Sequence, residues 1–290
     1  MFGGVIPAII TPFTEEDRVD RDGLVENLQF LSDAGVSGVV PCGTTGESAT
    51  LSTAEHMEVV DCVVEHADVP VIAGTGSNST SEAISLTKHA EDAGADAALL
   101  ITPYYNKPNR EGLIRHFTAI AESVEIPIIL YNVPGRTQLN MTPDVVSELA
   151  RIDNIVGIKE ASGDLQQVST IIESTREMDF AVLSGDDALT LPIMSLGGIG
   201  VISVAANLVP ERVVKMVKAV ENGEMKTALE IHYELSPLVR ALFLETNPVP
   251  VKMAMELCGL PSGHLRLPLH RGTTATENAL RDALGRLGLL

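Results

Sequence analysis

The chain has 290 residues, 45% of them hydrophobic, with 20 basic against 39 acidic side chains and a formal net charge of −19. Such acidity repels phosphates and argues against nucleic acid or an anionic membrane as a partner; no apolar run reaches the roughly 18 residues that a bilayer span needs. Two readings of the charge stay open, adaptation to a high-salt cytoplasm where screening removes self-repulsion, and ordinary acidic variation.

The first dozen residues are apolar without a basic leader, so no signal peptide is expected and the cytoplasm is the expected location. Cys42, Cys62 and Cys258 are odd in number, far apart and set in apolar segments. That argues against a disulfide framework or a metal knuckle and predicts buried thiols in a reducing compartment.

In chain order, short apolar runs alternate with amphipathic stretches, the pattern of repeated βα units. A strand over 5–10 precedes a helix over 22–34, and a strand over 36–41 precedes a helix over 53–66, with Ser52 or Thr53 as N-cap and Glu55 in the first turn. Further pairs follow at 69–73 with 81–93, 97–101 with 111–123, 127–131 with 143–150, 155–159 with 165–175, 181–184 with 188–196, and 200–204 with 210–222. Eight units predict an α/β fold, a (β/α)8 TIM barrel over 1–223. No G-x-G-x-x-G follows the first strand, as a dinucleotide-binding sheet would require. Strand signals then stop, and helices over 224–243, 248–258 and 276–287 predict a C-terminal helical domain over 224–290.

A barrel of this kind places its site at the C-terminal ends of the strands, and several of those ends are rich in polar groups. Lys159 ends an apolar strand. An ammonium buried there is costly, so it tends to lose its proton, and the freed amine can form a Schiff base with a carbonyl compound. An ion pair with Glu160 is the alternative. Strand alternation opposes it, because neighbouring residues face opposite sides, turning Glu160 away and Lys159 towards Tyr131.

Gly43-Thr44-Thr45-Gly46 offers backbone amides and two hydroxyls, suited to gripping a carboxylate and passing a proton. Tyr131 reads either as a proton carrier beside Lys159 or as a rim tyrosine that packs. Arg136, in a Pro-Gly loop, reads either as a bidentate carboxylate holder or as a structural ion pair. Asp186 and Asp187 read as caps of the following helix, since no ligand set at metal spacing accompanies them. His56, His66 and His89 fall in helices and are expected to face solvent. The glycine-rich end of the eighth strand lacks the basic residues of a phosphate site.

The segments GTTGESATL (43–51), VIAGTGSN (71–78), TPYYN (102–106), YNVPGRT (131–137), GIKEASGD (157–164), LSGDD (183–187) and NPVPVK (247–252) together resemble the pyruvate-dependent class I aldolase family, over essentially the whole chain. The resemblance implies that Lys159 forms a Schiff base with pyruvate, with no other cofactor and no metal. It makes Tyr131, Thr44 and Tyr105 a proton relay, with Tyr105 reaching into a neighbouring subunit. Thr45, Gly185 and the backbone of Ile202 match substrate-contacting positions, and Arg136 matches the residue that holds the carboxylate of L-aspartate 4-semialdehyde. The implied product is 4-hydroxy-tetrahydrodipicolinate, made in the first committed step of lysine biosynthesis through diaminopimelate.

Relatives with the same lysine and tyrosine cleave sialic acid or 2-keto-3-deoxy sugar acids. The Thr44-Thr45 pair, where a sialic acid lyase is expected to carry serine first, and Arg136 both favour the condensing branch. A sugar acid aldolase stays as the alternative, and a non-catalytic keto-acid sensor as the third reading, which retention of Lys159 with Tyr131 opposes. The resemblance also implies a homotetramer built as a dimer of dimers. It places an inhibitor cleft for lysine at Ala49, His56, Asn78, Glu82 and Tyr104. Thr53 stands where lysine-sensitive members commonly carry histidine, which predicts weak inhibition.

Overall fold

The computed structural model describes residues 2–290, and every count below refers to them. Seven parallel strands, β1 (Gly4–Pro7), β2 (Ile72–Gly74), β3 (Ala97–Ile101), β4 (Ile128–Asn132), β5 (Ile155–Glu160), β6 (Ala181–Ser184) and β7 (Gly200–Ser203), lie in the order β1-β7-β6-β5-β4-β3-β2. The helices α1 (Arg21–Asp33), α2 (Thr53–His66), α3 (Thr80–Ala93) and α4 (Arg110–Ala121) belong to the first half. The second half supplies α5 (Pro134–Thr137), α6 (Pro143–Leu149), α7 (Leu165–Thr175), α8 (Thr190–Ser195) and α9 (Pro210–Glu221). Three more, α10 (Met225–Leu242), α11 (Val249–Leu257) and α12 (Thr274–Arg286), form the extension.

The second predicted strand, 36–41, is not a regular strand, yet it fills the eighth barrel position. Its amides donate to both sides, Val40 N to Pro7 O at 2.8 Å and Val39 N to Pro70 O at 2.9 Å, with isolated parallel bridges Ala8–Val40 and Val39–Val71. Pro41 has no N–H to give, and Cys42 turns away at a φ of 54°, so the ladder stops after one bridge on each side. The barrel is therefore closed by a short irregular segment. The first strand likewise ends at Pro7 rather than at residue 10.

Side-chain alternation divides the core. Ile6, Ile72, Leu99, Ile129, Tyr131, Leu183 and Ile202 fill the barrel interior. Their strand neighbours, among them Leu100, Leu130, Ile158 and Val182, pack outward with Phe117, Val146 and Ile171 of the helices. The extension has no separate core. Leu235, Leu238, Val251 and Leu284 share one cluster with Val5, Leu24 and Val60 of the barrel, and each such leucine contributes about 1.5–3 kcal/mol by burial.

Helix starts follow the expected chemistry. Ser52 caps α2 in a capping box, its hydroxyl accepting from Glu55 N at 3.3 Å while the Glu55 carboxylate accepts from Ser52 N at 2.9 Å. The predicted helix at 188–196 instead begins as a 3-10 turn, Asp187–Leu189, before α8. Residues 134–137, expected as a loop, form the single helical turn α5, with Pro134 at its start. Cys42 and Cys62 are buried, whereas Cys258 is only half-buried, contrary to expectation. None of the described helices is long and apolar enough to cross a membrane.

Candidate active site

Tyr131 on β4 and Lys159 on β5 are Cα partners in the parallel register. Both side chains turn into the barrel, and the Lys159 amine lies 4.3 Å from the centroid of the Tyr131 ring. Lys159 is only 6% exposed. Burial brings its pKa down from 10.5 to about 8, with Asp187 pulling it back up and the Arg136 guanidinium pushing it further down. About a tenth of the amine is therefore uncharged at pH 7, far more than for a lysine in water. Burial pushes the Tyr131 phenol up to about 12, while Arg136 and the hydroxyl of Thr44 draw it down. An uncharged amine and a protonated phenol side by side can attack a carbonyl and supply a proton.

Glu160 takes no part in this. It is buried on the opposite face, where its oxygens accept from Asn132 Nδ2 at 3.0 Å, Ser162 N at 2.6 Å and Gln167 Nε2 at 3.3 Å. Its register partner is Asn132, so the pair behind the strands repeats the pairing of Tyr131 with Lys159 in front.

Gly185, directly after β6, makes room for the lysine. A Cβ there would stand 3.0 Å from Lys159 Cγ, 3.1 Å from Cε and 2.8 Å from Ala161 Cβ. Thr45 is buried and its hydroxyl accepts from Asn247 Nδ2 at 3.0 Å; the Asn247 carbonyl accepts from the Arg136 guanidinium at 3.1 Å. Arg136, otherwise exposed, lines an open cleft of about 640 Å³ with Phe243, Leu244 and Asn247. Ile202 sits buried in β7 opposite Ile6. Tyr105 stands apart from this group, 89% exposed, at a φ of 70°.

Only Asp186 caps the 3-10 turn, accepting from Ala188 N at 2.8 Å. Asp187, expected to cap as well, faces the end of β7 and accepts from Ser203 Oγ at 2.5 Å, Val204 N at 2.9 Å and Ala205 N at 3.0 Å. Its burial raises its pKa against those three donors, and its negative field supports the charged form of Lys159. Among the described residues no three His, Cys, Asp or Glu side chains gather as metal ligands.

The residues expected to line an inhibitor cleft come from the 3-10 turn Ser48–Thr50, from α2 (His56) and α3 (Glu82), and from the loops that carry Asn78 and Tyr104. Asn78 Nδ2 donates to Tyr104 O at 3.2 Å, Ser77 donates to Glu82, and Ala49 is exposed on the adjoining 3-10 turn Ser48–Thr50. His56 is buried rather than facing solvent, because the inward stripe of α2 carries it. Its Nε2 bonds Gly74 O at 2.8 Å, and burial lowers its pKa. His89 is half-buried beside Asp61, and His66 bonds Cys62 O. Asn247, Glu47 and Lys252 were not singled out from the sequence. They lie inside the GTTGESATL and NPVPVK segments, so the signal was present, but the contact between segments some 200 residues apart was not readable.

A model of the dihydrodipicolinate synthetase family matches residues 1–287. The 4-hydroxy-tetrahydrodipicolinate synthase of Methanococcoides burtonii is 62% identical over 290 residues, covering 100% of both chains. A crystal structure of a dihydrodipicolinate synthase is 53% identical, with a TM-score of 0.97 over 100% of both chains. The chloride-inhibited dihydrodipicolinate synthase from Acinetobacter baumannii complexed with pyruvate is 43% identical, with the same TM-score of 0.97 and 100% coverage of both chains.

Proposed function

The chain belongs to the dihydrodipicolinate synthetase family, and from that premise we propose that Lys159 and Tyr131 carry its reaction. The protein catalyses the condensation of pyruvate with L-aspartate 4-semialdehyde to 4-hydroxy-tetrahydrodipicolinate, a carbon-carbon bond-forming lyase reaction in lysine biosynthesis through diaminopimelate. The covalent Schiff base takes the place of a cofactor.

The uncharged Lys159 amine adds to the keto carbon of pyruvate, and loss of water leaves a protonated imine. That imine draws electrons from the methyl group, which gives up a proton to form the enamine. The enamine carbon attacks the aldehyde carbon of the semialdehyde, and the new alkoxide takes a proton. The substrate's own amino group then displaces Lys159 at the imine carbon, closing the ring and freeing the lysine. Tyr131, Thr44 and Tyr105 carry the protons. Thr45, Gly185 and the backbone at Ile202 seat pyruvate, and Arg136 holds the semialdehyde carboxylate.

The observation that carries this reading is the register pairing of Tyr131 with a buried Lys159 whose amine has a lowered pKa. Borohydride reduction in the presence of pyruvate, followed by peptide mass analysis, tests it. An adduct on Lys159 is expected; its absence would sink the assignment.

The finer assembly belongs to the same proposal. We place the protein in the cytoplasm as a homotetramer, a dimer of dimers, in which Tyr105 completes the relay of a neighbouring subunit; its 89% exposure supports this. Residues 1–223 are the catalytic barrel and 224–290 the helical domain, which shares the barrel's core rather than building its own. Ala49, His56, Asn78, Glu82 and Tyr104 form a cleft for the inhibitor lysine. Thr53, exposed at the start of α2, predicts weak inhibition. Half-inhibition at micromolar lysine would overturn that.

A further inference from the structure

The loop that carries Thr44 and Thr45 is held from the far end of the chain. Glu47 and Lys252 form an ion pair at 2.6 Å with side chains 0% and 2% exposed. The second Glu47 oxygen accepts from Arg266 N at 3.1 Å, and Lys252 also donates to His264 O at 2.7 Å. Every polar partner of this carboxylate therefore comes from the C-terminal extension. Both cations approach the Phe13 ring, the Lys252 amine at 4.5 Å and the Arg266 guanidinium at 4.2 Å from its centroid.

The anchored residue is bonded directly to the relay threonine, because Glu47 N donates to Thr44 O at 3.2 Å. Glu47 adopts a φ of 55° and Cys42, at the other end of the loop, 54°. Two left-handed non-glycine residues persist only where the surroundings over-determine the backbone. Asn247, on the segment that leads into Lys252, grips the neighbouring Thr45 hydroxyl as well. Two buried charges bring little net stability as a pair, but they fix geometry tightly, since neither tolerates separation from the other.

We propose that the Glu47–Lys252 ion pair is the positioning device of the proton relay, setting Thr44 against Tyr131 from the C-terminal extension. It rests on the function proposed above. Both residues are positioning groups, since neither lies among the reacting atoms.

Two readouts separate the steps. Borohydride trapping reports imine formation on Lys159, whereas deuterium uptake into the pyruvate methyl group in D2O, without semialdehyde, reports the proton transfer that follows. The variants are Glu47→Asp, which keeps both charges and shortens the reach, and the double variant Glu47→Gln/Lys252→Met, which removes both charges together. In either folded variant the final yield of trapped adduct stays within about two-fold of wild type, because reduction is irreversible and even a slowed imine is captured in the end, while deuterium uptake slows about ten-fold or more. Uptake within about two-fold of wild type in a folded variant overturns the proposal. So does failure of both variants to fold, which would make the pair a requirement of folding alone. A wild-type protein that does not trap pyruvate would refute the functional reading instead, independently of the variants.

Discussion

Tyr131 and Lys159 stand opposite each other on neighbouring parallel strands, the amine 4.3 Å from the ring centroid. Strand register, a backbone property, thus sets the spacing between the buried amine and the phenol ring. Their behaviour in variants follows from burial and from the residues behind them.

The rate of borohydride trapping by pyruvate should rise with pH and level off above about 8, where Lys159 has lost its proton. A trapping rate that climbed evenly to pH 10.5 would refute the lowered pKa. The same shift bears on stability. The unfolded chain binds more protons than the native one between pH 8 and 10.5, so wild type gains stability as pH rises through that window. Lys159→Met should therefore be inactive yet more heat-stable at pH 7, by on the order of 3 kcal/mol. That advantage should shrink towards pH 10.5, which thermal melts at the two pH values would check.

Gly185→Ala should strike the lysine directly. The added Cβ would stand 2.8 Å from Ala161 Cβ, closer than real contacts come, and 3.0 Å from Lys159 Cγ, so the lysine must yield by a few tenths of an ångström. Displacing the amine is expected to lower kcat by about 10²-fold, and the overpacking to cost roughly 1–3 kcal/mol. Kinetics and a thermal melt on one preparation test both; unchanged trapping would contradict the contact.

Glu160→Gln should separate structure from chemistry. Both carboxylate oxygens accept hydrogen bonds, from Ser162 N and Asn132 Nδ2 among others, and an amide offers only one acceptor. One buried donor would then face another, at a cost of roughly 1–3 kcal/mol. The melting temperature should fall while Lys159 still traps pyruvate. Abolished trapping in a folded variant would place Glu160 in the chemistry.

Tyr105 gives the assembly a direct test. Tyr105→Phe and Lys159→Met should each be inactive, and mixed oligomers of the two should regain activity, because one kind of site then combines an intact lysine with a partner's intact tyrosine. Mixtures that stay inactive after verified subunit exchange would refute a shared tyrosine.

The sequence by itself determined the repeat of apolar runs and amphipathic helices, the polar strand ends, and the segregation of Lys159 from Glu160, because all of these depend on periodicity within one segment. It also narrowed the cap of α2 to Ser52 or Thr53, since capping is local, and the structure takes Ser52. What tertiary structure alone decided was contact between distant segments. The 36–41 segment bonds to strands on both sides yet stays irregular; Pro41 is a local hint of that, but the pairing with both neighbours is not. Asp187 turned from its helix to the β7 end because three donors waited there. His56 proved buried because the neighbouring barrel surface covers that side of α2. Glu47 and Lys252, separated by 205 positions, became one ion pair. Periodicity assigns a side chain to a face, but only the closed barrel brings two faces together, and pairing of buried charges is settled there.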